Sequence, residues 1–378
     1  AAEAVAAASA APGGVATLIL PADVSWTDGA QPAPPVPVRP ASPVPETAIR
    51  VSAKALRGSE PCTILLGGAG LRRTAIGAAS RIAAATGARL LGETFPARHE
   101  RGAGIPDVPR LAYLAESAAS QLDGTRHLIL AGAADPVSFF AYPGKPSVLS
   151  PDGCSTHVLA PPGDDISVAL EALADLVAAD VSPAAQPLSR PELPAGDLTA
   201  KTAAEVIGAL LPENSIVSDE AATSGIFLPG ATAGAPPHDW LTLTGGAIGQ
   251  GLPLAAGAAI ASPDRPVLAL EADGSAMYTI SALWTHARES LDVTTVVFSN
   301  RAYAILGMEL KRVGAASAGN SSKSLLSLDN PPLDFVSLGT GMGVPATRAT
   351  TAEEFASQLR NALAEPGPHL IEAMVQRL

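Results

Sequence analysis

Short apolar runs alternate with helix-like segments along most of the chain. The runs at 63–66, 127–131 and 157–160 are short and continuous, as expected of buried strands, whereas 74–86 and 166–178 have the length and composition of helices. Strands that alternate with helices in this way form parallel sheets covered by helices. The pattern therefore predicts an α/β fold built from three-layer, parallel-sheet domains.

Two proline-rich stretches interrupt this rhythm and predict linkers, because proline stiffens the chain and lacks a backbone donor. With these as boundaries, the predicted segments are 1–27, an incomplete helix–strand unit; 28–48, a linker; 49–180, a complete α/β unit; 181–198, a second linker; and 199–378, a second complete unit. The apolar run 15–20 in the first segment predicts a buried strand. One helix and one strand cannot form a domain alone, so we expect the sequence to begin inside a longer protein.

The charge and the cysteine content exclude several classes of function. A net charge of −12 disfavours nonspecific binding to nucleic acid or to anionic membranes, both of which need basic patches. No apolar run reaches the roughly 18 residues of a membrane-spanning helix. Only Cys62 and Cys154 occur, which excludes a disulfide framework and a cysteine-rich metal site and fits a reducing, cytoplasmic location.

Candidate chemistry lies at the ends of two predicted strands in the second complete unit. The apolar run 267–270 leads to Asp273, and the run 293–298 leads to Asn300. Parallel strands would deliver this carboxylate and this amide oxygen to one carboxyl edge of the sheet, where open α/β sheets bind ligands. Such oxygen ligands suit a Mg²⁺ ion that also holds a phosphorylated cofactor. Taken alone, however, Asp273 could belong to a simple turn and Asn300 could cap a helix.

The wider sequence favours the metal-site interpretation. Residues 273–275 followed by Asn300 resemble the G-D-G-S…N-N signature of thiamine diphosphate-dependent enzymes, with Ala272 in place of the first Gly and Arg301 in place of the second Asn. Over nearly its whole length the chain resembles thiamine diphosphate-dependent 2-oxo acid decarboxylases and acetolactate synthase large subunits. The most similar local motifs, within 273–285 and 301–306, are those of benzoylformate decarboxylase.

The resemblance also implies a domain organisation. Enzymes of this kind have a pyrimidine-binding domain, a middle domain and a diphosphate-binding domain. Segment 1–27 would be the remnant of the first, 49–180 a Rossmann-like middle domain, and 199–378 the diphosphate-binding domain. The glutamate that activates the cofactor belongs to the pyrimidine-binding domain, which is mostly absent and would come from the same gene product or from a companion chain.

Carried over by position, the resemblance implies a Mg²⁺ site and a diphosphate site. Asp273 and Asn300 would supply side-chain oxygens to Mg²⁺, and Ala302 its backbone carbonyl. Gly274 and Ser275 would offer backbone and hydroxyl donors to the diphosphate at a predicted helix N-terminus, where an anion is favoured.

Four further residues are implied to contact the cofactor. Thr223 would lie in a second diphosphate-contacting turn, and Tyr303 lies among the matched residues after the signature. Gly246 would accept a hydrogen bond from the aminopyrimidine through its carbonyl. Ile248 would be the bulky wedge that bends the cofactor, although it could instead be an ordinary core residue.

His99 is the candidate catalytic residue. The segment 95–99 resembles the part of benzoylformate decarboxylase that brings a histidine to the active site. A histidine with a near-neutral pKa suits proton transfer. The alternative is a surface histidine between Arg98 and Glu100.

The function implied is decarboxylation of a 2-oxo acid, with capture of the resulting enamine by a second carbonyl compound, as in acetolactate synthase. The alternative is a benzoylformate-type decarboxylase. Acetolactate synthases have a Gln-Trp pair after a Gly-Met, whereas here Met308 is followed by Glu309 and Leu310. This departure favours the decarboxylase, whereas similarity along the whole chain favours the synthase.

Two other classes of function remain open from the sequence. A chain without the activating glutamate could be a non-catalytic cofactor-binding scaffold. The glycine-rich residues 67–70 could hold FAD, as in acetolactate synthases, or mark a flavin- or nicotinamide-dependent oxidoreductase, but one glycine-rich turn is weak evidence. FAD is therefore a less favoured cofactor than thiamine diphosphate and Mg²⁺.

Partners and moving parts follow from the resemblance in the same way. The expected assembly is a homodimer or a tetramer, in which the cofactor lies between domains of two subunits. The residues 311–330 are rich in glycine and serine and predict a mobile lid, or else a surface loop without a role.

Overall fold

A computed structural model of the protein describes residues 1–315 and 319–377. In chain order the helices are α1 (Ala2–Ser9), α2 (Glu46–Leu56), α3 (Arg73–Thr86), α4 (Ala115–Leu122), α5 (Ile166–Val177), α6 (Ala200–Leu210), α7 (Leu228–Ala231), α8 (Gly251–Ala261), α9 (Asp273–Ala276), α10 (Ala282–Arg288), α11 (Ala304–Arg312), α12 (Asn320–Leu325), α13 (Phe335–Gly341) and α14 (Ala352–Ala364). The strands are β1 (Cys62–Leu66), β2 (Arg89–Gly92), β3 (His99–Arg101), β4 (His127–Ala131), β5 (Ser155–Ala160), β6 (Ile216–Glu220), β7 (His238–Leu241), β8 (Val267–Ala272), β9 (Val293–Ser299), β10 (Ala346–Ala349) and β11 (His369–Met374). Within these described ranges, no helix has the length and hydropathy needed to cross a bilayer.

The described residues form two compact units, which we call the first unit (1–94 and 108–184) and the second unit (95–107 and 185–378). The segment 95–107 therefore lies with the second unit and not with the α/β unit that precedes it in the chain. The cause is a pairing that is distant in sequence, because β3 adds antiparallel to β7, with His99 opposite Trp240.

The first unit contains a four-stranded parallel sheet in the order β2-β1-β4-β5. Its strands are short and apolar, and β1 is buried along its whole length. Ala118 and Leu122 of α4 pack against Leu65 and Leu128 of the sheet. The parallel α/β arrangement predicted from the apolar runs is confirmed.

The second unit contains a seven-stranded sheet in the order β10-β11-β9-β8-β6-β7-β3, parallel except for β3. Alternate residues along β8 join two separate cores, since successive side chains of a strand point to opposite faces. Leu268 packs with residues of α6 and α14, including Phe355. Ala269 packs with residues of α8 and α10, including Leu283. Helices thus cover both faces and leave the carboxyl edge of the strands for a site.

The buried strand predicted at 15–20 is wrong. The chain there is irregular, and Val15 and Ile19 are 99% and 84% exposed. A strand gains its stability from hydrogen bonds to a neighbour, and none of the strands in the described ranges pairs with this segment. An apolar run shows that a segment could form a buried strand, but the strand forms only where a neighbouring strand is available to pair with it.

Candidate active site

The candidate site lies at the carboxyl edge of β8 and β9. These strands are adjacent and parallel, with Leu270 paired with Val296, which confirms the predicted arrangement. Asp273 follows β8 directly and Asn300 follows β9 directly. Both side chains are buried, with 2% and 6% of their surface exposed. A carboxylate and an amide buried together at the carboxyl edge of a parallel sheet make this edge a candidate for ligand binding.

The carboxyl group of Asp273 is held by two backbone donors. Gly274 N–H donates to Oδ1 at 2.8 Å, and Arg301 N–H donates to Oδ2 at 2.6 Å. Burial raises the pKa of Asp273 to about 6, against the lowering effect of these hydrogen bonds. A buried carboxylate that is costly to ionise is stabilised by a cation, so Asp273 fits the role of a metal ligand.

Asn300 and Ala302 supply the other oxygens expected of the metal site. Asn300 Oδ1 accepts a hydrogen bond from Ala302 N–H at 2.9 Å. Arg301, between them, has a φ of 58°, a left-handed conformation that non-glycine residues rarely adopt. One residue in a strained conformation thus lies between Asn300 and Ala302, and its own N–H donates to Asp273. A carboxylate, an amide oxygen and a carbonyl are hard donors, and they fit Mg²⁺.

The turn that contains Thr223 lies against the same edge. Residues Ala222–Gly225 form a 3₁₀ turn after β6. Ser224 of this turn is buried, and its Oγ accepts from Asn300 Nδ2 at 3.5 Å. The structure therefore brings the turn of Thr223 next to Asn300, and its contact with a diphosphate stays a prediction.

Gly274, Ser275 and Tyr303 pack together at the start of α9. A side chain at Gly274 would lie 2.6 Å from the ring of Tyr303, so the close approach of this ring requires glycine. The hydroxyl of Ser275 donates to the carbonyl oxygens of Ala272 at 3.1 Å and of Glu220 at 3.2 Å. These contacts fix the start of α9 against β6 and β8.

We call residues 242–251, from the end of β7 to the first residue of α8, the wedge loop. Gly245 and Gly246 have φ values of 65° and 68°, which glycine adopts at low cost. Ile248 is 43% exposed. An ordinary core isoleucine would be buried, so the observed exposure favours the wedge interpretation, in which this side chain contacts a ligand.

Sequence reasoning missed two residues that position the site. Glu220, at the end of β6, accepts hydrogen bonds from the wedge loop, and Ser224 contacts Asn300. Their partners lie 29 and 76 positions away in the chain. The one available signal was that Glu220 stands three residues after the short apolar pair of a predicted strand, close to the edge where ligands bind.

His99 is placed differently from the other predicted site residues. It is 4% exposed and lies in β3, opposite Trp240 of β7. Trp240 is level with Val217, and Val217 is level with Leu268, five positions before Asp273 along β8. At about 3.3 Å per residue, this level lies roughly 16 Å from Asp273 along the direction of β8. The structure does not bring His99 to Asp273 and Asn300, and its catalytic role stays a prediction.

The predicted lid is partly described. Residues 316–318 lie outside the described residues, while α11 and α12 flank them. Asp329, beyond α12, binds Arg377 at 2.7 Å, and Arg377 Nε donates to the carbonyl of Asn300 at 3.1 Å. The end of this segment is thus tied to the backbone of a candidate metal ligand.

The glycine-rich turn of the first unit, residues 67–70, was the candidate for FAD. Gly68 N–H donates to the carboxyl group of Glu93 at 2.9 Å, and Gly67 N–H donates to Ala131. A side chain at Gly67 would lie 2.5 Å from the carbonyl oxygen of Gly132, so close packing of two loops explains this glycine. The N–H groups of Gly67 and Gly68 are therefore engaged within the unit, and FAD stays a less favoured prediction.

Comparison with known proteins agrees with the geometry of the second unit. The sequence family described as "Thiamine pyrophosphate enzyme, C-terminal TPP binding domain" matches residues 223–373. A Mycobacterium tuberculosis protein named "Putative acetolactate synthase large subunit IlvX" is 60% identical over 379 residues, which cover 100% of this chain and 73% of that protein. A benzoylformate decarboxylase of Pseudomonas aeruginosa is 34% identical over 226 residues, or 58% of this chain and 42% of that protein.

A solved structure shares the fold. The thiamine diphosphate-dependent 4-hydroxybenzoylformate decarboxylase of Rhodococcus jostii RHA1 superposes with a TM-score of 0.73 at 24% identity, covering 90% of this chain and 66% of that chain. The chain therefore spans about two thirds to three quarters of the proteins that it matches over most of its length. Identity along the whole chain, together with the family match across Asp273 and Asn300, shows that the protein belongs to the thiamine pyrophosphate enzyme family.

Proposed function

We propose that this chain is the metal- and diphosphate-binding part of a thiamine diphosphate- and Mg²⁺-dependent enzyme that acts on 2-oxo acids in the manner of an acetolactate synthase. The observation that carries the proposal is the convergence of Asp273, Asn300 and the Ala302 backbone at one sheet edge. The name of the relative that is 60% identical over the full chain supports the synthase assignment.

The residues of the chain bind and orient, whereas the bound thiamine diphosphate would supply the electron sink that 2-oxo acid decarboxylation requires. Asp273, once ionised, would provide the negative charge that holds Mg²⁺, and Asn300 and Ala302 would complete the protein oxygens. Gly274 and Ser275 would face the diphosphate. The exposed Ile248 would set the shape of the bound cofactor by steric contact.

A benzoylformate-type decarboxylase is the second candidate, and one feature of α11 favours it. Where acetolactate synthases have Gln-Trp, this chain has Glu309 and Leu310. Glu309 accepts a hydrogen bond from Arg312 at 2.6 Å, and both side chains are less than one-fifth exposed. Glu309, paired with Arg312, and Leu310 would contact a second substrate differently from the Gln-Trp pair of acetolactate synthases.

The proposal includes a partner domain. The family's activating glutamate lies in the pyrimidine-binding domain, and no residue of this chain matches that position. We therefore propose that the active form is a homodimer or a tetramer that contains this domain, from the same gene product or from a companion chain. The 378 residues alone are expected to bind the cofactor weakly and to turn over no substrate.

Product analysis on the intact native assembly tests the proposal. With Mg²⁺ and thiamine diphosphate present, pyruvate and benzoylformate are supplied separately. Acetolactate from pyruvate supports the synthase, whereas an aldehyde and CO₂ from benzoylformate, with pyruvate unchanged, support the decarboxylase. Cofactor binding without any product from a panel of 2-oxo acids would favour a non-catalytic scaffold and contradict the proposed function.

A further inference from the structure

The carboxyl group of Glu220 binds the end of the wedge loop with both of its oxygens. Oε1 accepts from Gly249 N–H and Oε2 from Gly251 N–H, each at 2.5 Å. Glu220 is fully buried at the carboxyl end of β6. The resemblance assigns no task to this residue, although a buried carboxylate with two short backbone bonds is a costly feature to keep.

The loop approaches Glu220 closely because residue 251 has no side chain. A Cβ atom at Gly251 would lie 2.8 Å from Glu220 Oε2 and closer still to Glu271 Oε1, on the neighbouring strand β8. Ser218 Oγ donates to the Gly251 carbonyl at 2.9 Å. Both the N–H and the carbonyl of Gly251 are therefore bound by side chains of β6.

Gly249, directly after Ile248, is held from the opposite side as well. Its carbonyl accepts from Thr279 Oγ1 at 2.9 Å. Its φ is 94°, and a side chain there would lie 2.9 Å from Cβ of Tyr278. Both polar backbone groups of Gly249 are thus engaged, one by Glu220 and one by the segment that follows α9.

Glu220 also contacts the signature segment. Its carbonyl oxygen accepts from Ser275 Oγ at 3.2 Å, while its side chain holds Gly249 and Gly251. One residue thus links the start of α9, where the diphosphate would lie, to the loop that presents Ile248. Such a link would fix the distance between the two ends of a bound cofactor.

We propose that Glu220 is a positioning residue that holds Ile248 in place by accepting hydrogen bonds from the backbone that follows it. This inference rests on the proposed function, because Ile248 acts as a wedge only if the cofactor binds. The N–H groups of Gly249 and Gly251 each donate to one carboxylate oxygen of Glu220. A glutamine amide cannot accept both bonds, because its NH₂ group would face one of these N–H donors.

The variant Glu220→Gln, made in the intact native assembly, tests this role without relying on turnover. Hydrogen–deuterium exchange of peptides covering 242–252, measured without cofactor, reports on the loop directly. We expect exchange in the 249–251 region to rise about 10-fold or more, with the rest of the second unit still protected. We also expect thiamine diphosphate affinity, measured by titration with Mg²⁺, to fall by about 10-fold or more.

Glu372→Gln is the matched control. Glu372 is a buried carboxylate of β11 in the same sheet, and its partner is Arg348 at 2.8 Å. This variant removes a charge of similar burial without touching the wedge loop. It is expected to lower the melting temperature while leaving exchange at 242–252 and cofactor affinity as in the wild type.

Unchanged exchange of the wedge loop in folded Glu220→Gln would overturn the inference, even if the wild type binds the cofactor. Failure of the wild type to bind thiamine diphosphate would instead refute the proposed function. If Glu220→Gln does not fold, Glu220→Asp takes its place, because it keeps both oxygens but withdraws them by one methylene. Faster loop exchange supports the inference in that variant, and wild-type exchange overturns it.

Discussion

Two glycine-rich loops, one in each unit, look alike in sequence and differ in what their backbones leave available. In the first unit, Gly68 donates to the half-buried carboxyl group of Glu93, and Gly67 packs against Gly132. In the second unit, the wedge loop donates to Glu220 in a similar way, but it presents a half-exposed Ile248. A glutamate from an adjoining segment holds each loop, but the second loop also presents a large apolar side chain that is 43% exposed. Several glycines in a loop indicate that backbone segments pack closely there. A ligand site needs, in addition, donors or side chains that this packing does not already engage.

The largest expected effect comes from removing the metal ligand in the second unit. Asp273→Ala is expected to weaken Mg²⁺-dependent binding of thiamine diphosphate at least about 100-fold, because it removes the charged ligand. Titration of the cofactor with and without Mg²⁺ measures this effect. Glu93→Gln in the first unit is the control and is expected to bind like the wild type. Equal affinities for Asp273→Ala and the wild type would contradict the role of Asp273 as a metal ligand and weaken the case for a ligand site in the second unit.

Shortening the wedge is expected to separate binding from turnover. Ile248→Ala would leave the metal ligands in place, so cofactor affinity is expected to change little. Turnover is expected to fall by about 10- to 100-fold, because the reacting groups lose their alignment. The melting temperature is expected to stay close to that of the wild type, since the side chain is already 43% exposed. A large drop in stability with normal turnover would assign Ile248 to the core.

The raised pKa of Asp273, about 6, predicts a pH dependence of cofactor binding. At pH 5 roughly one-tenth of this carboxyl group is ionised, so Mg²⁺-dependent affinity is expected to be about 10-fold lower than at pH 7. Calorimetry in buffers of different ionisation enthalpy would show proton release on binding near pH 6. An affinity independent of pH between 5 and 7 would contradict this prediction.

The same shift fixes the sign of the effect on stability without metal. The folded protein holds the Asp273 proton more tightly than the unfolded chain does, because the folded pKa lies above the ordinary value of 3.8. The contribution of Asp273 to the free energy of unfolding is therefore largest below pH 4 and is lost as the pH rises through about 6. Binding of Mg²⁺ and the cofactor is expected to restore this contribution to the free energy of unfolding. Chemical denaturation of the wild type and of Asp273→Asn would measure it.

The smallest expected effect concerns flavin. The protein, purified in its native assembly, is expected to lack the visible absorbance of FAD and to retain none after incubation with it. Glu93→Gln is expected to gain no flavin binding, since the packing of Gly67 against Gly132 persists. Stoichiometric flavin in either protein would show that this turn can open and would erase the contrast with the wedge loop.

Much of the fold and part of the site followed from local sequence. Asp273 and Asn300 became candidates because each follows a short apolar run, a pattern readable within a few residues. Glu220 was missed because its partners are 29 and 31 positions away and meet it only through the register of β6 with its neighbours. The prediction of a strand at 15–20 was wrong for a related reason, because a strand needs a second segment with which to form hydrogen bonds.

The segment 95–107 shows the same limit at the level of domains. Its position in the chain assigned it to the first unit, but β3 pairs with β7, about 140 residues later. The placement of His99 in the sheet, rather than at its edge, follows from this pairing. Residue type and local motif suggested chemistry for His99, whereas the register decides where it lies.

The packing around Gly251 restricts which amino acids this position can accept. This residue touches no expected ligand, and as the first residue of a helix its backbone would accept most amino acids. Two acidic side chains nevertheless occupy the space where any side chain would begin. A saturation scan would therefore rank position 251 among the least tolerant of the chain, alongside residues that would bind the metal.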